Sequence, residues 1–213
     1  MERKDSNSEL KNIQISMNMT ITGKNPGYKI GAIMGYQYAS QNIILNATII
    51  NCNISGEDEV GGFMGRQYTY NSTIQNSNIQ KSIISGKEAI GGFISQQQTD
   101  LQTIMNSQLN SSVIIAEHDA AMIIDGQYRS SLIIQNVSVT FCNISASDSA
   151  LILWNCNSAK IQVNHLTANN IFFTGENTGF LHGWIDPSSE YSETDVLLTQ
   201  NYVNGVLTDI AGM

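Results

Sequence analysis

Residues 60–89, VGGFMGRQYTYNSTIQNSNIQKSIISGKEA, decide the fold, because the same phrase returns 30 residues earlier from Ile30, 30 later from Ile90, and in weaker form from Ala120 and Ala150. A fixed period of this length is the mark of a solenoid, in which each repeat buries its apolar face only by stacking on its neighbours. The register holds position by position. Gln37, Gln67, Gln97 and Gln127 form one column, and Asn46, Asn76, Asn106 and Asn136 another. Ile44, Ile74, Ile104 and Ile134, then Ile49, Ile79, Leu109 and Val139, then Ile54, Ile84, Ile114 and Ile144 supply apolar columns, with Gly56, Gly86, Ala116 and Ala146 as a small one.

Inside one repeat the apolar residues alternate over short runs separated by Gly, Asn and Ser, and β-branched residues dominate. That pattern predicts short strands rather than helices. The expected fold is therefore all-β, a right-handed parallel β-solenoid of about six turns, right-handed being the default course for parallel connections. The Asn column falls between Ile74 and Ile79, where inward alternation breaks, so Asn76 and its equivalents are expected at a corner as a ladder of amides with buried partners. The Gln column is read in the same way.

Outward from the repeats, residues 1–9 read as a polar lead-in and residues 10–29 as half a coil, with Met19 standing 30 before Ile49 and Ile21 aligned with Ile54. Pro26 and Gly27 mark an enlarged corner. Complete units follow at 30–59, 60–89, 90–119 and 120–149, then 150–178, which begins in register and shortens, and a divergent turn from 179 that carries the repeats to 185. Residues 186–195, DPSSEYSETD, are expected to bulge as an acidic insertion, and 196–213 to close the open end with terminal strands.

Composition narrows the function. The net charge is −8 and charged residues are only 13% of the chain, so the clustered Lys and Arg that nucleic acid requires are absent. No apolar run approaches the roughly 18 residues of a spanning helix, and membrane insertion is not expected. The first residues, MERKDSNSELKN, contain no apolar leader segment. Cys52 and Cys142 share a column three coils apart and Cys156 lies in another, so free thiols are expected.

At IGAIMG (30–35), VGGFMG (60–65) and IGGFIS (90–95), followed by Asn76-Ser77 and Asn106-Ser107, the chain resembles the GLUG-type repeat over residues 30–119. The resemblance implies a β-solenoid segment of a large secreted or surface protein, acting as a stalk or an adhesive surface, with no catalytic residues to carry over. It implies an extracellular setting within a longer protein; the lack of an apolar leader implies instead a chain that stays in the cytoplasm.

Candidate chemistry is sparse. Sequons stand at Asn18, Asn46, Asn53, Asn71, Asn110, Asn136 and Asn143, a number that the Asn, Ser and Thr content explains, and the ladder is expected to leave no room for a glycan at Asn46 and Asn136. Stacking places Asp58, Glu88, His118 and Asp148 in one acidic column, read as a solvated corner rather than a cation site. His118, His165 and His182 show no zinc spacing, and no cofactor is called for. Carboxylates on neighbouring coils make a polysaccharide-active β-helix the alternative to a non-catalytic module. The candidate binding residues are Tyr38, Tyr68 and Tyr128, which share a column interrupted by Gln98, with Tyr36 and Tyr70 beside it. A row of rings at coil spacing suits the apolar faces of sugars or the aromatic anchors of a surface-protein partner.

Overall fold

The structure is a computed structural model, and it describes residues 7–15, 19–23, 29–128, 131–157, 159–179 and 181–207. Among these the regular elements are all strands, stacked as a parallel β-solenoid of about six turns. Each coil contributes to three sheets. The long strands Met34–Leu45, Met64–Gln75 and Ile94–Met105 lie side by side in the first, three-residue strands such as Ile83–Ser85 make the second, and Asp58–Gly61 and Glu88–Gly91 belong to the third.

The pattern Ile74, Ile79, Ile84 shows why the sequence bends into a coil. Each inward isoleucine is five residues from the next, and all three are fully buried. Between each pair sits one left-handed residue, Asn76 at φ 51° and Lys81 at φ 50°, that reverses the alternation and turns the chain. Asn adopts this conformation at lower cost than other L residues, which accounts for Asn12, Asn46, Asn76, Asn106 and Asn136 at the first corner, all at positive φ. The column then continues as His165 and Asp195, paired through Nδ1 and Oδ2 at 3.1 Å.

The amide ladder is present but lies on the outside. Asn76 Nδ2 donates to Asn46 Oδ1 at 3.3 Å and Asn136 Nδ2 to Asn106 Oδ1 at 3.0 Å, and these side chains are exposed. The expectation of buried partners is corrected accordingly, and the ladder at Asn46 and Asn136 is open to solvent. The buried corner ladder is made one residue later, by serine. Ser77 Oγ accepts the N–H of Ala47 at 3.1 Å and Ser107 Oγ that of Ser77 at 3.2 Å, and Ser82 and Ser112 repeat the arrangement at the second corner. The Gln column, by contrast, points inward: Gln67, Gln97 and Gln127 are fully buried, and Gln97 Nε2 donates to Gln102 Oε1 at 2.8 Å.

The glycine pairs have a steric cause. A Cβ on Gly61 would stand 1.8 Å from the carbonyl oxygen of Met64, and one on Gly91 1.7 Å from that of Ile94, so the tight arch between the third and first sheets requires glycine there. Inside the arch Phe63 and Phe93 stack with centroids 5.6 Å apart.

The register departs from the 30-residue period in definite places. Ile15, not Met19, pairs with Ile49, and Asn7–Lys11 already forms a strand against residues 41–45, so the solenoid begins inside the expected lead-in. Ile21 does pair with Ile54. Pro26 and Gly27 lie outside the described residues, as does Asn18. One residue is missing at the corner after Ala146, so Ala150 pairs with Ala121 rather than Ala120 and Asp148 with Asp119 rather than His118. The acidic stretch does not bulge as a whole. Glu190–Thr199 is a strand in register with Lys160–Asn169, Glu190 meeting Lys160 at 3.1 Å, and only 186–189 turn away. The described chain ends in an antiparallel pair, Tyr202–Val203 with Val206–Leu207. Cys52, Cys142 and Cys156 are free and buried.

Candidate functional site

Alternation along Met34–Leu45 sends Gln37 inward and its neighbours Tyr36 and Tyr38 outward, where they are 56% and 57% exposed. Parallel pairing then sets Arg66 beside Tyr36 and Tyr68 beside Tyr38, with Gln96 and Gln98 on the third coil and Gly126 and Tyr128 on the fourth. Three rings gather at the N-terminal end of this face. Tyr68 lies 5.8 Å from Tyr36 and 6.4 Å from Tyr38, centroid to centroid, with tilts of 51° and 36°.

Tyr68 is held from below by charge. The Arg66 guanidinium carbon sits 5.0 Å from its ring centroid, a cation–π distance. Arg66 is itself held by Glu59, whose Oε1 accepts Arg66 Nη1 at 2.8 Å and Lys29 Nζ at 2.5 Å. Glu59 reaches this position because its left-handed backbone, φ 48°, starts the arch that brings residue 59 under residue 65. The Glu59 side chain is 9% exposed, so the triad works at lower effective dielectric than a surface pair.

The row of rings is not continuous. Tyr128 folds back along its own coil, such that a Cβ on Gly126 would meet a Tyr128 ring carbon at 3.0 Å. It is half-buried, and that burial, followed by the nearby Asp125 carboxyl, pushes its phenol pKa up, while Arg66 pulls the other way. The side chain of Tyr70 lies outside the described residues. The candidate surface is thus Tyr36, Tyr38 and Tyr68 with Arg66, and Tyr128 stands apart beyond Gln98.

Sequence reasoning missed three features. Lys29 and Glu59 are opposite charges 30 residues apart, a pair that the column logic already contained. Trp184, 50% exposed, continues the Tyr36 column through Gly126 and Asn155 at the far end of the face. A third residue lies behind the edge. Asp125 is 2% exposed, its Oδ1 has no hydrogen-bond partner among the described residues, and burial followed by the fields of Asp119 and Glu59 raises its pKa well above the usual carboxylate range.

At the acidic corner beside Glu59, Asp148 Oδ1 accepts Asn177 Nδ2 at 2.7 Å. Among the described residues no group of three His, Cys, Asp or Glu is placed to hold a metal ion, and no helix is long and apolar enough to cross a membrane. No family model, curated protein or solved structure matches the chain.

Proposed function

We propose that the chain is a non-catalytic β-solenoid module of a larger surface protein, a stiff spacer whose tyrosine edge is an adhesive, glycan-binding surface. The observation that carries this reading is the exposure of Tyr36 and Tyr38 around a Tyr68 ring that Arg66 holds in place. Exposed rings on a rigid sheet lose little conformational entropy on binding, and their hydroxyls and the nearby Gln96 and Gln98 amides offer hydrogen bonds to a sugar. The resemblance to GLUG-type repeats at 30–119 points the same way.

A polysaccharide-active β-helix would need carboxylates converging in a cleft. An open hollow beside the first coils, lined by Met19, Cys52, Lys81 and Ile83 among others, has no carboxylate in its lining. The test is a glycan array and a cell-adhesion assay on the wild type and on a Tyr36→Ala/Tyr38→Ala variant, with folding followed by circular dichroism. Binding by the wild type that is lost in the folded variant supports the edge. Release of reducing sugar from a polysaccharide panel would overturn the non-catalytic assignment.

A further inference from the structure

Resting on the glycan-binding reading of the same edge, we infer that its ligand is an acidic saccharide, a uronate whose carboxylate meets Arg66 while its ring lies against Tyr36 and Tyr38. Two cations, Lys29 and Arg66, converge on a single oxygen of Glu59, so the triad keeps one positive charge in a chain whose net charge is −8. Glu59 is enclosed, whereas the Arg66 side chain is 23% exposed and that of Lys29 17%, so the cations rather than the anion face solvent. Of the guanidinium nitrogens, Nη1 is spent on Glu59 and Nε is buried, which leaves Nη2 to take a further carboxylate.

The position within the face favours a sugar acid over a simple anion. Arg66 shares its register position with Tyr36 and lies against Tyr68, so an anion bound there lies between rings, where a pyranose can contact apolar faces and place its C6 carboxylate on the guanidinium. A neutral sugar would use the rings and leave the excess charge unanswered.

The test compares oligogalacturonate with its methyl ester, the same backbone without charge, by isothermal titration on the wild type, Arg66→Gln, Arg66→Lys and Tyr38→Ala, each checked for folding. The acid should bind at least about tenfold more tightly than the ester, the expected scale of one charge-assisted pair. That advantage should shrink as salt is raised. It should vanish in Arg66→Gln and be partly kept in Arg66→Lys. Tyr38→Ala should weaken both ligands alike. Equal binding of acid and ester, with both lost in Tyr38→Ala, would overturn the acidic ligand and leave the tyrosine edge standing. An acid preference unchanged in a folded Arg66→Gln, or no binding of the acid at all, would overturn it as well. Because the salt dependence is read on the wild type, the result does not hinge on whether Arg66→Gln folds.

Discussion

The hydroxyl oxygen of Ser82 accepts the backbone N–H of Cys52 one coil away at 3.2 Å, and the same hydroxyl donates to the carbonyl of Gln80 at 2.8 Å. With Ser82 only 1% exposed, removing the hydroxyl leaves a buried N–H without its acceptor. Ser82→Ala should therefore cost about 1 to 3 kcal/mol. Urea midpoints with an unchanged slope measure it, and a loss within error of zero would show that the serine column does not tie the coils.

Asn76 is the opposite case, exposed and left-handed at φ 51°. Its amide bond to Asn46 faces water and contributes little, so the residue is held there mainly by conformation. Asn76→Ala should destabilise by about 1 kcal/mol, from the left-handed penalty on an ordinary L residue, and Asn76→Gly should cost less than Ala. A glycine variant as damaged as the alanine one would assign the effect to the amide ladder instead.

Those two corners show what the sequence made legible. The columns Ile44, Ile49 and Ile54 and their equivalents gave the period, the parallel stacking and the core, because side chains 30 apart that must be apolar on both neighbours leave a visible repeat. Which corner residue points inward was not visible. One left-handed residue moves Asn76 out and Ser77 in, and both are small and polar, so the pattern reads equally well either way. At the site, exposure of Tyr36 and Tyr38 followed from alternation. The fold-back of Tyr128 over Gly126 did not, because it depends on the missing side chain of a neighbour rather than on any periodicity.

Asp125 makes stability depend on pH. Below its ordinary pKa of 3.8 the carboxyl is neutral whether the chain is folded or not, and burial costs nothing extra. As pH rises above that value the unfolded chain releases the proton while the buried group retains it. Stability therefore falls with rising pH until the buried group ionises, and is lower at neutral pH than near pH 4 by that linkage. Asp125→Asn should flatten the fall and gain stability at about pH 7. Asp119, raised in the same direction but less, keeps its own, shorter fall in the variant. Unfolding free energies of the two proteins at a series of pH values check this, and parallel curves would contradict it.

The thiols give a readout of core integrity. Cys142 is buried and its pKa is pushed up to about 11 by burial, so the reactive thiolate is scarce at neutral pH. Cys52 and Cys156 are raised by the same cause. Ellman's reagent should find Cys142 and Cys156 nearly inert in the native protein, and all three thiols reactive in urea; rapid native labelling of Cys142 would mean that the coil opens between Thr140 and Asn143.

Whether a ligand meets the solenoid at Tyr36, Tyr38 and Tyr68 can be read by NMR of protein labelled with carbon-13 at its eight tyrosines during titration with oligogalacturonate and, separately, its methyl ester. The ring signals of Tyr36, Tyr38 and Tyr68 should shift together and saturate, while those of Tyr191 and Tyr202, at the far end of the stack, stay in place. Shifts confined to Tyr191 and Tyr202, or no shift with either saccharide, would contradict binding at that edge.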